Sequence, residues 1–268
     1  MFYIEIFKIK MKNFKKIVVK IGTNVITNSS GILDTGVIES IAKQIAEAKN
    51  SDKKIMIVTS GAIGAGMGEL GLKARPDDIL MRQVCAAVGQ GILMASYHKV
   101  FQKFVMKVAQ VLISYDTFAN KDVSANMSRS INKLLEFGVI PIVNENDAIS
   151  TEEIGKSFGD NDIMSAKLAV NLKADLLIIL TDVDGLFDRN PEEDGASLIR
   201  EVSRIDGATI SIAGQSSLGV GGMKTKIEAA KIAANAGVKV IMANGKKENV
   251  LSRLLKGEKE GTLFLANK

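Results

Sequence analysis

The run KKIVVKIGTN, residues 15–24, decides the fold. Ile17, Val18, Val19 and Ile21 make a short apolar stretch that ends in a glycine and polar residues, and five more runs follow the same plan. They are KKIMIVTS (53–60), VAQVLIS (108–114), GVIPIVNEND (138–147), DLLIILTD (175–182) and VKVIMAN (238–244). Between them, helical spacing of apolar residues predicts helices at 35–49, 78–104, 124–137, 162–172 and 223–236. Apolar strands alternating with helices indicate strands buried on both faces, hence a mainly parallel sheet. The predicted fold class is therefore α/β, a three-layer α/β/α sandwich with a mainly parallel central sheet. Only three prolines occur, with no Ser-rich linker and no internal repeat, so a single domain from 15 to 268 is expected after an N-terminal extension, 1–14. Met11 offers a second translation start within that extension.

Composition narrows the chemistry. A chain of 268 residues with 46% apolar and 24% charged residues buries a sizeable core without staples. Its one cysteine, Cys85, has no internal disulfide partner and reads as a small apolar residue of the helical run MRQVCAAVGQGIL. With a single histidine, His98, set in the helical run LMASYHKVFQKF, a histidine-based triad, a multi-histidine zinc site and a histidine relay are not expected, which leaves Lys, Asp, Asn, Ser and backbone amides. The net charge of +5 comes from basic residues spread along the chain, with no Trp and three Tyr to stack on bases, so no nucleic acid partner is expected. No run reaches the roughly 18 uninterrupted apolar residues of a membrane span. Glu5, Lys8 and Lys10 interrupt the apolar start, unlike a signal peptide. The expectation is a cytoplasmic protein with no membrane partner.

Each strand is followed by a polar or glycine-rich turn: KIGTN, TSGAIGAG, SYDTFAN, NENDAIS and TDVDGLFDRN. In an open α/β sheet, ligands bind beyond the carboxyl ends of the strands, so this chemistry is expected along one edge. Lys20 lies inside an apolar strand and either projects toward an anion or snorkels from an edge. TSGAIGAGMGELG (59–71) leads into a helix and suits a phosphate or carboxylate in general. Its GxGxxG, Gly66 to Gly71, begins too far from the strand for a dinucleotide fingerprint. LGVGGMKTKIEAAKIA (218–233) joins a second glycine loop to a helix, with Lys224 and Lys226 at the junction. STEEIGKS (150–157) lacks the first glycine of a P-loop. FGDNDIMSAKLA (158–169) places Asp160, Asn161 and Asp162 where a helix begins; one such residue suffices as a cap, and three together suit a polyphosphate site as well. Two glycine loops, several lysines and carboxylates at one edge are the parts that phosphoryl transfer needs.

VVKIGTN, IVTSGAIGAG, PIVNENDAIS, FGDND, LLIILTDVDGLF and GVGGMKTK, in this order, resemble the amino acid kinase family from about Lys15 to Phe264. The NENDA and GDND blocks are similar to its glutamate-phosphorylating branch rather than to members acting on acetylglutamate, aspartate, carbamate or UMP. The resemblance implies the amino acid kinase fold, with ATP and Mg²⁺ as cofactors and L-glutamate as acceptor, giving γ-glutamyl phosphate in the first step of proline biosynthesis. It implies catalytic roles for Lys20, Asp162 and Lys226, and glutamate binding by Ser60, Gly61, Asp147 and Asn161. Nucleotide binding would fall to Lys20, Thr181, Asp182 and the loop Val220, Gly221, Gly222, Met223, Lys224, Thr225 and Lys226, with no chemical step given to Lys224. Asp160 is implied in support of metal or substrate, and the metal ligands stay unknown. A homo-oligomer and feedback inhibition by L-proline are further expectations. Many members of the branch carry a C-terminal PUA domain, which a chain ending at Lys268 is too short to hold. Another acceptor carboxylate, a non-catalytic amino-acid sensor and a nicotinamide dehydrogenase are the alternatives.

Overall fold

The computed structural model of the chain describes residues 14–48, 52–114, 116–149, 161–207, 209 and 222–266. In chain order it runs β1 (Lys16–Ile21), α1 (Thr23–Ile26), α2 (Thr35–Ala48), β2 (Lys54–Val58), α3 (Ala62–Glu69) and α4 (Ile79–Gln102). Then come β3 (Lys107–Ile113), α5 (Asp116–Ala119), α6 (Lys121–Glu136), β4 (Val139–Glu145), a 3-10 turn (Asp147–Ile149), α7 (Asn161–Asn171) and β5 (Leu176–Thr181). The chain closes with β6 (Glu201–Val202), α8 (Met223–Asn235), β7 (Lys239–Asn244), α9 (Val250–Lys256) and β8 (Thr262–Phe264). Side chains mark two helix starts: Asp78 accepts from the Met81 amide at 2.8 Å before α4, and Asn120 accepts from Asp122 and Val123 before α6.

The eight strands form one sheet in the order β3-β4-β2-β1-β5-β7-β8-β6. The pairings from β3 through to β7 are all parallel, and β8 alone runs antiparallel to its neighbour β7. The carboxyl ends of β1, β2, β3, β4, β5 and β7 therefore share one edge. Alternation along each strand sorts side chains between two cores. Ile17, Val19 and Ile21 of β1 join the core under α2, α4 and α9, while Val18 joins the core under α6, α7 and α8. Leu176, Ile178 and Leu180 against Leu177 and Ile179 repeat the pattern on β5. Lys20 shares Val18's parity, so its side chain lies on the α7 and α8 face. The two short strands β6 and β8 were not anticipated, because two or three residues carry no readable period.

Most of the expected extension, 1–13 with Met11, lies outside the described residues. Phe14, placed in that extension by sequence, is buried against the core. A second expectation needs correction. The stretch read as a glycine loop leading into a helix is itself helix α3, and its glycines serve packing. A Cβ on Gly66 would lie 1.9 Å from the Cys85 carbonyl oxygen, and one on Gly89 would lie 1.9 Å from the Ala62 carbonyl oxygen. Helices α3 and α4 touch backbone to backbone, a contact only glycine permits.

Helix α4 has two characters. Leu93, Tyr97 and Phe101 near its end are fully buried, whereas Leu80, Met81, Val84 and Val88 near its start are exposed, Leu80 at 66%. Among the described residues it is the one helix long and apolar enough, by length and composition, to cross a membrane.

Candidate active site

Three elements bring their charged side chains to one point. Lys20 comes from β1, Asp162 from the first turn of α7 and Lys226 from the first turn of α8. Lys20 Nζ lies 2.5 Å from Asp162 Oδ1, and Lys226 Nζ donates to Asp162 Oδ2 at 3.1 Å. Asp162 is wholly buried, and both lysines are nearly so, at 4% and 8% exposure. Burial pushes the Asp162 carboxyl up, but the two ammonium groups and the hydrogen bonds they donate outweigh it and hold it below its ordinary value. Lys20 is thus neither an edge nor a snorkelling lysine: β1 is central and its ammonium is paired.

Local geometry explains why Lys226 and not Lys224 arrives here. Two residues turn an α-helix by roughly 200°, so Lys224 is exposed where Lys226 is buried. Residues 223–226 are the first turn of α8, which starts where helical spacing placed it; Gly222 caps it, and its carbonyl accepts from Thr225 Oγ1 at 2.9 Å. Val220, Gly221 and Asp160 lie outside the described residues. At the end of β1, a Cβ on Gly22 would come within 3.0 Å of the Leu180 carbonyl oxygen and 3.8 Å of Lys20 Nζ.

A polar chain adjoins the lysines. Asn161 Nδ2 donates to the Thr59 carbonyl at 2.7 Å, to Ser60 Oγ at 3.1 Å and to Asn144 Oδ1 at 3.1 Å. Gly61 caps α3 at φ 104°, a left-handed conformation, and a Cβ there would press Ile26 at 3.2 Å. The first amides of α3 consequently open beside Ser60. Thr59 is held from below, its hydroxyl 2.8 Å from that of Tyr97.

Asp147 stands apart from this cluster, on the 3-10 turn that packs against α4. It is half-buried, and burial pushes its carboxyl up to about 6, Arg75 opposing in part. On the other flank, at the end of β5, Asp182 accepts from Asn24 Nδ2 at 2.8 Å and from Thr181 Oγ1 at 3.1 Å. Burial pushes Asp182 up, and these hydrogen bonds, Asn24's foremost, hold it below its ordinary value. Nearby, Asp184 accepts from Lys247 Nζ at 2.6 Å and from Asn244 Nδ2 at 2.9 Å. Among the described residues no group of three His, Cys, Asp or Glu side chains is placed to hold a metal. A shallow cavity at the opposite edge, lined by Ile45, Lys53, Ile55, Met106 and Ile140 among others, carries only lysines as charged groups.

Sequence reading missed Asn144, Asn24, Arg75 and Gln90. Asn144 stood inside the quoted NENDAIS block and could have been singled out. Gln90 carried no signal beyond being polar in an apolar helix.

The sequence profile of the amino acid kinase family matches residues 15–244. Glutamate 5-kinase of Methanococcoides burtonii is 46% identical over 256 residues, covering 94% of this chain and 68% of its own. Glutamate 5-kinase of Clostridium acetobutylicum is 45% identical over 258 residues, covering 95% of this chain and 96% of its own. Among solved structures, carbamate kinase from Giardia lamblia bound to AMP-PNP superposes with a TM-score of 0.67 at 18% identity, over 96% of this chain and all of that one. At that identity the likeness concerns the fold.

Proposed function

The chain belongs to the amino acid kinase family, in its glutamate 5-kinase branch, and we infer that it transfers the γ-phosphoryl of ATP to the γ-carboxylate of L-glutamate. The product is γ-glutamyl phosphate, and the reaction is the first step of proline biosynthesis. The observation that carries this reading is Asp162, buried and held between Lys20 and Lys226. Two ammonium groups brought to one point in a dry place are suited to stabilise the negative charge of a transferring phosphoryl group.

The acceptor carboxylate is already ionised at neutral pH. It attacks phosphorus without a general base, in keeping with a single histidine that lies exposed on α4. One carboxylate oxygen bonds to phosphorus as the bond to the bridging oxygen of the leaving ADP breaks, and the protein contributes position and charge. In this reading Lys20 and Lys226 hold the phosphoryl group and Asp162 orients both. Ser60, the Gly61 amide, Asp147 and Asn161 hold glutamate, with Asp147 opposite the α-ammonium. Thr181, Asp182 and the segment from Val220 to Lys226 hold the nucleotide. Mg²⁺, when bound, would be held by the nucleotide's phosphates with one or two carboxylates rather than by an all-protein cage, and would neutralise charge on the phosphates. A cytoplasmic location, a homo-oligomer and control by L-proline complete the proposal; the exposed stripe Leu80, Val84 and Val88 on α4 supports the oligomer.

The test is an ATP and Mg²⁺ assay with hydroxylamine trapping, run on glutamate, aspartate and acetylglutamate. Hydroxamate from glutamate in large excess over the others is the expected result. Preference for another acceptor reassigns the chain within the family, and no product from any, with ATP bound, turns it into a sensor.

A further inference from the structure

The amides beside the lysines form a chain whose orientation is set at one end. Thr59 offers a carbonyl, which only accepts, so the Asn161 atom 2.7 Å from it is the nitrogen. The Asn144 atom facing that nitrogen is then the oxygen, and the Asn144 nitrogen faces Gln90 Oε1 at 2.8 Å. Gln90 Nε2 is left at the far end, shut off from solvent and without a hydrogen-bond partner among the described residues. Two protons on a buried donor with nothing to receive them is a costly arrangement unless a ligand's oxygen comes to it.

Gln90 is also held firmly in place. The preceding residue, Gly89, sits where a Cβ would be 2.3 Å from the Gly66 nitrogen, so α4 is locked against α3 one residue away, and α3 begins at Ala62, directly after Ser60 and its cap Gly61. The turn bearing Asp147 packs on the same helix. Asn161 adjoins Asp162 and the lysines, whereas Gln90 is reached only through Asn144, from the α4 side of the sheet.

We propose that Gln90 reads the α-carboxylate of the amino-acid acceptor, its Nε2 donating to that group at the end of the substrate remote from the phosphoryl site. The assignment rests on the glutamate kinase reading. It places the γ-carboxylate by Asn161 and Ser60, the α-ammonium by Asp147 and the α-carboxylate by Gln90. A neutral donor to a carboxylate makes a charge-assisted hydrogen bond, and the Gln90 amide thereby favours a free α-amino acid over one with a masked α-carboxyl.

The experiment compares wild type, Gln90→Leu and Gln90→Glu on L-glutamate and on its α-amide, which keeps the ammonium and the γ-carboxylate. Gln90→Leu is expected to raise KM for glutamate about tenfold or more with KM for ATP unmoved, and to weaken the α-amide less, because its neutral carbonyl oxygen accepts a weaker hydrogen bond than the carboxylate does. Gln90→Glu keeps an oxygen for Asn144 Nδ2 but turns an acceptor toward the substrate, so it is expected to bind glutamate worse than Gln90→Leu. Wild-type KM in Gln90→Glu would reduce Gln90 to a prop for Asn144 and overturn the proposal, as would equal losses for glutamate and α-amide in Gln90→Leu. Should both variants fail to fold, the wild type decides: thermal stabilisation by glutamate and by the α-amide at equal concentrations overturns the proposal if the two match. A wild type that does not phosphorylate glutamate brings down the kinase reading first, and this assignment with it.

Discussion

Lys20 illustrates how one residue's role follows from strand parity. Alternation sends it to the side of the sheet where α7 and α8 begin, and Asp162 meets it there with Lys226. Removing one lysine takes one ammonium from Asp162 and one cation from the transferring group. Lys226→Ala is expected to lower kcat by a factor of about 10² to 10³, the usual effect of deleting one electrostatic donor, with the melting transition still cooperative. Near-wild-type turnover would take Lys226 out of the mechanism. Asp147 makes a different prediction, about pH. Its carboxyl sits at about 6 in the folded chain, above the roughly 3.9 of an unfolded one. As pH rises from about 4 to 6 the unfolded chain gives up this proton first, so Asp147's contribution to apo stability falls over that window. Substrate binding runs the opposite way, because only the ionised carboxyl attracts an ammonium. KM for glutamate should therefore climb as pH drops below about 6, and Asp147→Asn should flatten that profile, raising KM above about pH 6 and converging with wild type below it. A wild-type KM independent of pH between 5 and 7 would place the ammonium elsewhere.

At the scale of elements, the pairing of α3 with α4 does the positioning. Gly66 and Gly89 bring the two helices to backbone contact, which sets the start of α3 beside Ser60 and the middle of α4 beside Asn144. Gly89→Ala forces a methyl group onto the Ala62 carbonyl, and overpacking of that kind costs about 1 to 3 kcal/mol or more. The expected outcome is a lower melting temperature together with a raised KM for glutamate, since both walls of that subsite shift. A fully stable and active Gly89→Ala would mean the helices part without consequence. The pair also explains why a glycine pattern misleads. Gly64, Gly66 and Gly68 read as a phosphate loop in sequence, but two residues apart in a helix they face alternate sides: Gly66 meets the Cys85 backbone, while Gly64 and Gly68 face Gly31 and Ile32, and only these partners distinguish packing from a loop.

Across the whole molecule, a parallel sheet gathers Lys20, Ser60, Asn144, Thr181 and Asn244 on one edge because the strands bearing them point the same way. The stripe of Leu80, Val84 and Val88, with Met81 beside it, stays in water. If this face joins copies of the chain, Val84→Glu is expected to shift sedimentation from the oligomer toward the monomer, and an unchanged oligomer would put the interface elsewhere. The sequence by itself determined the α/β class and six of the eight strands, and it marked Lys20 and the Asp160 to Asp162 cluster as candidates, because strand period, glycine turns and a charge inside an apolar run are local signals. It reached the catalytic roles of Lys20, Asp162 and Lys226, the acceptor and the cofactor through resemblance to a family. Only the tertiary structure decided that Lys226 closes on the same carboxylate as Lys20, that Gly66 of α3 packs against the backbone of α4, and that Gln90 ends a chain of amides. Those contacts join residues dozens to hundreds of positions apart, and no local pattern encodes which distant side chain a buried polar atom will meet.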